Sequence, residues 1–168
     1  MTPRVVLVGP PGSGKSTVGA ALAALLAVPL HDTDAAVEAA TGRTVSDIFV
    51  EDGEAAFRAL ERAEVARAVA EEEGVLALGG GAPVDPVTQE VLAGQVVVFL
   101  DVGIADAAKR VGFDQSRPLL AVNPRASWVR LMNERRPVYE RLATHRVDTA
   151  GRTPEDVASE VAGLLGAS

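Results

Sequence analysis

The chain has no cysteine in its 168 residues, which excludes disulfides and thiolate metal sites and fits a reducing cytosol. Aromatic residues are scarce at 4%, so the core has to be built from valine, leucine and alanine. No apolar run approaches the roughly 20 residues of a membrane-spanning helix. After Met1-Thr2-Pro3-Arg4 a strand pattern begins at once, leaving no room for a signal peptide. Positive charge is also short: 16 Lys and Arg against 23 Asp and Glu give a formal net charge of −7. With a pI near 4.8, a general nucleic-acid or acidic-membrane surface is not expected, although a local basic pocket is still allowed. The expectation is one cytoplasmic domain over residues 1–168, with no nucleic-acid or membrane partner. No exposed apolar stripe stands out, so it reads as a monomer.

What the chain does have is Gly9-Pro10-Pro11-Gly12-Ser13-Gly14-Lys15-Ser16-Thr17. The apolar run Val5-Val6-Leu7-Val8 precedes it, and a helical pattern through Leu22, Leu25 and Leu26 follows. Strand, glycine loop, then helix is the context in which G-x-x-x-x-G-K-[ST] forms a phosphate cradle. Glycines let backbone N–H groups turn inward, and the helix start adds partial positive charge. Lys15 would reach the β- and γ-phosphates and the Ser16 hydroxyl would hold Mg²⁺. Gly12, Ser13, Gly14 and Thr17 complete the nucleotide-binding set.

Short apolar runs alternate with helical periodicity along the rest of the chain, as in a parallel sheet covered by helices. Strands are expected at 4–9, 29–32, 75–78, 96–101 and 146–148. Helices are expected at 15–26, about 34–40, 45–50, 54–72, 86–92, 104–110, 126–143 and 154–165. Ser46 is a candidate N-cap, and Thr153-Pro154-Glu155-Asp156 places a cap, an N1 proline and two first-turn acids in the favoured order. Segments 79–85 and 111–125 fit neither pattern, and such segments tend to carry lids and substrate contacts.

Asp32 and Asp34 close the second strand, where an open parallel sheet gathers its ligands. Read as extended chain, the two project to the same side. One suits a metal and the other suits accepting a proton from a hydroxyl, while helix capping is the plainer alternative for Asp34. Asp101, ending Val96-Val97-Val98-Phe99-Leu100, is a competing strand-end ligand for Mg²⁺. Gly79-Gly80-Gly81 is too costly in entropy for a bare turn and suggests backbone lying close to a ligand. Arg58 has Glu61 three residues on, so an exposed ion pair would account for it. Arg117 precedes Pro118, and Arg135-Arg136 precede Pro137 and Tyr139. Together these arginines suit a migrating phosphoryl and a carboxylate-bearing acceptor. His31 and His145 lack partners at metal-ligand spacing and read as structural, and Trp128 reads as core.

Taken in order, Gly9–Thr17, Asp32-Thr33-Asp34, Phe57-Arg58-x-x-Glu61, Gly79-Gly80-Gly81, Arg117-Pro118-Leu119 and Arg136-Pro137-x-Tyr139 resemble the shikimate kinase family over nearly the whole chain. The resemblance implies a three-layer α/β/α P-loop NTPase fold of the nucleoside-monophosphate-kinase type. This is an α/β class with a five-stranded parallel sheet and a mobile lid. It also implies a single kinase domain that moves the γ-phosphoryl of ATP, as co-substrate, to the 3-hydroxyl of shikimate with Mg²⁺. The shikimate-binding region would lie at about 33–61 and the lid at about 111–125. By the same resemblance, Asp32 helps hold the metal with Ser16, so Asp101 drops in rank, and Asp34 is the candidate base. Arg58 and Arg136 grip the carboxylate, Glu61 orients Arg58, and the glycines at 79–81 supply backbone contacts. Arg117 would move onto the phosphoryl group, and Arg110 and Pro154 would sandwich the adenine. The alternatives are a kinase of another small hydroxy acid, such as gluconate, and a nucleotide-dependent binding module.

Overall fold

A computed structural model describes residues 2–111 and 124–166. Its elements run β1 (Val5–Val8), α1 (Lys15–Leu26), β2 (Leu30–Asp32), α2 (Thr33–Thr41), α3 (Val45–Asp52), α4 (Glu54–Glu71) and β3 (Val75–Ala77). They continue with a 3₁₀ turn at Ala82–Val84, α5 (Pro86–Leu92), β4 (Val97–Asp101), α6 (Ile104–Val111), α7 (Pro124–Leu142), β5 (His145–Asp148) and α8 (Pro154–Leu164). The strands form one sheet in the order β2-β3-β1-β4-β5, and every neighbouring pair is parallel.

Strand periodicity builds the layers. Val6 and Val8 of β1, with Leu76, Val97 and Phe99, face α4 and α7, where Val65, Ala68, Trp128, Met132 and Tyr139 are buried. The intervening residues Val5 and Leu7, with Val75, Val98 and Leu100, face α1 and α8 through Val18, Leu22, Val157 and Val161. A sheet covered on both faces needs strands that are apolar on both sides, and β1 and β4 are buried throughout. Val37, Ile48 and Phe57 form a smaller cluster joining α2, α3 and α4. No helix among the described residues is long and apolar enough to cross a membrane.

Two local expectations change. Thr44, not Ser46, caps α3, its side chain accepting from the Asp47 N–H at 3.0 Å. Asp32 caps α2, with Oδ1 accepting from the Ala35 N–H at 3.1 Å. Asp34 therefore stands inside the first turn of a helix rather than in extended chain. What brings it near Asp32 is the strand-to-helix turn, not strand periodicity. The Thr153 cap of α8 is present as expected, accepting from Asp156. Helix α7 continues through Pro137, which has no N–H to return to the carbonyl of Asn133.

Candidate active site

At the carboxyl ends of β1, β2 and β3, a cavity of about 660 Å³ is lined by Pro11–Val18, Asp32, Asp34, Leu78, Gly79 and Gly80. Arg110, Thr149, Arg152, Pro154 and Val157 line it as well. The loop between β1 and α1 holds positive φ at Gly12 (86°) and Gly14 (88°), a region open to glycine at little steric cost. Its carbonyls are occupied: Lys15 Nζ donates to Gly9 O (2.7 Å) and Pro10 O (3.2 Å), and Arg110 Nη1 donates to Gly12 O (3.1 Å). The Ser16 hydroxyl donates to Asp32 Oδ2 at 3.0 Å. Among the described residues no three His, Cys, Asp or Glu cluster as a metal cage. Hydroxyl plus carboxylate is nevertheless a donor pair that fits Mg²⁺, which takes one or two protein oxygens and fills its octahedron with phosphate and water. Ser13 is fully buried, and its Oγ has no hydrogen-bond partner among the described residues.

The glycines at the end of β3 lie against charged side chains. A Cβ on Gly79 would stand 2.6 Å from Asp34 Oδ1 and 3.0 Å from Glu61 Oε2. One on Gly80 would meet Arg135 Nη1 at 3.1 Å, and one on Gly81 would meet Arg58 Nη2 at 2.5 Å. Each missing methyl is thus space taken by a functional group. The Phe57-Arg58-x-x-Glu61 segment of α4 is not the exposed ion pair that its spacing allowed. Glu61 is 2% exposed and accepts from Arg58 Nη1 at 2.9 Å. Burial pushes the Glu61 carboxyl up, Arg58 opposes this, and the charge of Asp34 adds to it. Its Oε2 has no hydrogen-bond partner among the described residues. The Arg58 guanidinium lies 5.8 and 5.3 Å from the ring centres of Phe49 and Phe57.

On α7 the expectation for Arg136 is corrected. Its guanidinium makes a two-pronged contact with Asp101 (2.9 and 2.7 Å), which Arg146 also grips (2.9 and 2.7 Å). Burial raises the Asp101 carboxyl, but the two arginines outweigh this and hold it below the ordinary carboxylate range. Asp101 is thereby occupied by cations, which leaves it unsuited to the metal role weighed for it. Arg135, one residue earlier and 6% exposed, is the arginine beside Gly80. Tyr139, one turn on, donates its O–H to Gly80 O at 2.7 Å, and burial pushes its phenol up to about 12. A sequence signal for Arg135 existed. It sits in phase with the buried residues Trp128, Met132 and Tyr139, which recur at helical spacing, whereas Arg136 is about 100° further round.

The far end of the cavity is closed by Arg110, which donates to Thr149 Oγ1 (2.9 Å) and Thr149 O (2.6 Å), and by Pro154 at the start of α8. Arg152, missed in the sequence, also lines this end and is held by Glu160 at 2.6 Å. His31 lies outside the cavity lining and pairs with Glu64 at 2.5 Å. Arg117 and residues 112–123 of the lid expected at about 111–125 lie outside the described residues, and the two ends of that range belong to α6 and α7.

Comparison with known proteins returns a consistent family. The model of the family described as "SKI: Shikimate kinase" matches residues 11–165. The chain is 57% identical over 167 residues to a shikimate kinase of Salinispora arenicola, covering 99% of this chain and 100% of that one. It is 57% identical over 166 residues to a shikimate kinase of Thermobifida fusca, covering 99% and 96%. A solved shikimate kinase from Acinetobacter baumannii, in complex with shikimate, superposes with a TM-score of 0.94 at 33% identity, covering 99% of this chain and 94% of that one.

Proposed function

Since the chain belongs to the shikimate kinase family, we propose that it transfers the γ-phosphoryl of ATP to the 3-hydroxyl of shikimate. The products are shikimate 3-phosphate and ADP, on the route to chorismate and the aromatic amino acids. One observation carries the reading: Asp34, Arg58 and Arg135 converge on three consecutive glycines directly beside the phosphate loop.

Phosphoryl transfer requires positioning and charge stabilisation more than covalent chemistry from the protein. The loop N–H groups from Gly12 to Thr17 and the start of α1 take the phosphates. Lys15 exchanges the carbonyls of Gly9 and Pro10 for phosphate oxygens, which stabilises charge in the transition state. Ser16 and Asp32 hold Mg²⁺, which when bound neutralises charge on the β- and γ-phosphates. Arg58 and Arg135 fork the acceptor carboxylate, and the bidentate geometry of each guanidinium sets the ring's orientation. Glu61 keeps Arg58 in place, and Gly79, Gly80 and Gly81 let the ring approach the backbone. Asp34 then lies where it accepts the proton of the attacking hydroxyl as the phosphoryl departs from ADP. Arg110 and Pro154 flank the adenine, and Arg117 supplies a further cation to the phosphoryl in flight.

ADP release, measured by a coupled assay, tests the whole reading. Turnover should require shikimate and should stop when Mg²⁺ is chelated. Equal turnover with gluconate would favour the sister acceptor, and nucleotide binding without acid-dependent turnover would favour a binding module.

A further inference from the structure

Trp128, the single tryptophan of the chain, does more than fill the core. It is 4% exposed and packs under the sheet, yet its indole N–H donates to the carbonyl of Pro11 at 2.8 Å. That bond joins the first turns of α7 to the middle of the phosphate loop, across 117 residues of sequence.

The loop's carbonyls divide by what holds them. Gly9 O and Pro10 O are held by Lys15, a side chain that must let go of them to reach a nucleotide, and Pro10 O also by the Ser13 N–H of the loop itself at 3.1 Å. Pro11 O is held by Trp128 and Gly12 O by Arg110, neither of which is anchored within the loop. In a trans peptide the C=O and N–H point to opposite sides. Fixing the Pro11 carbonyl toward α7 therefore turns the Gly12 N–H away from α7. Pro10 and Pro11 have no N–H, so after Gly9 this is the first donor the loop can offer a phosphate. A rotation of this one peptide would both misdirect that donor and leave a carbonyl unpaired against a buried indole.

We propose that Trp128 is a positioning residue for the donor nucleotide: it clamps the Pro11–Gly12 peptide of the phosphate loop from α7. The same helix carries Arg135 and Tyr139 on the acceptor side, so α7 is a strut that holds the donor and acceptor halves in register. This rests on the phosphate-loop assignment above.

Two variants separate the clamp from packing. Trp128→Phe keeps a buried ring without the donor. Replacing Trp128 with benzothienylalanine keeps the indole's shape and substitutes sulfur for N–H, so folding is retained even if the phenylalanine variant is unstable. ADP affinity in the presence of Mg²⁺ is measured by calorimetry, the two KM values by assay, and Tm without ligand. ADP Kd and ATP KM are expected to rise about fivefold to tenfold, as for one lost hydrogen bond to the cradle, with shikimate KM within about twofold. An isostere that binds ADP as the unmodified protein does overturns the clamp. So does an equal loss of affinity for both substrates, which would mean general loosening of the core. Failure of the unmodified protein to bind ADP would instead remove the phosphate-loop assignment, and the clamp with it.

Discussion

The proposed donor and acceptor parts of the site are built by opposite means. The proposed donor part is nine consecutive residues, Gly9–Thr17, running from the end of β1 into the first turn of α1, and it offers backbone N–H groups, two left-handed glycines and one lysine. The proposed acceptor part is made of side chains from α2, α4 and α7, which meet over the glycines after β3. Its parts lie as far apart in sequence as Asp34 and Arg135. The path of a local loop is set mainly by its own residues, here with Trp128 and Arg110 holding two of its carbonyls from outside. A constellation drawn from three helices depends on the phase of each, and one residue of helical rotation changes which side chain arrives.

That contrast is open to attack by substitution. Asp34→Asn should lower kcat on the order of a thousandfold, within the general-base range, while both substrates still bind. Near-normal turnover would mean that the acceptor half only binds. Lys15→Met is expected to lower kcat on the order of a hundredfold to a thousandfold with shikimate KM nearly unchanged. A parallel rise in shikimate KM would show that the halves are not separable. The sharpest comparison is Arg135→Met against Arg136→Met. Loss of one fork on a bound carboxylate should raise shikimate KM about thirtyfold or more for Arg135. For Arg136 the change in KM should stay within about threefold, and the loss should appear in Tm, because its partner is Asp101. Reversed results would restore Arg136 to the site.

The smallest effect concerns pH. The folded Glu61 carboxyl lies above its ordinary value because it is buried. The folded state therefore holds this proton more tightly than the unfolded chain does. The contribution of Glu61 to stability is greatest in acid and falls as pH rises through the raised value. Function runs the other way. As pH falls through that value Glu61 neutralises and Arg58 loses its charged partner, so shikimate KM should climb about threefold to tenfold. In Glu61→Gln the KM should be raised at every pH and show no such limb. A limb that persists in that variant would assign the titration to another group.

Much of the architecture is legible in the sequence. The phosphate loop, the five strands and the Thr153 cap depend on short-range pattern, and each lies within a residue or two of its expected place. The departures share a physical cause. Ser46 and Thr44 are both good caps, and only the backbone entering α3 chooses between them. Strand periodicity makes neighbours of Asp32 and Asp34, but the first caps the helix that contains the second. The resemblance puts Arg136 at the acceptor, while the buried stripe of α7 carries Arg135 to Gly80 and leaves Arg136 to Asp101.

By itself, the amino-acid order determined the nucleotide cradle, the alternation of strand and helix and the inventory of charged groups. Those features depend on torsions and periodicities within a few residues. Tertiary structure alone decided which of two adjacent arginines meets Gly80, that Glu61 is buried under Arg58, and that a tryptophan from a distant helix holds the Pro11 carbonyl. Each is a contact between elements far apart in the chain. Helix phase and packing on the sheet determine such contacts, and no local run of residues encodes them.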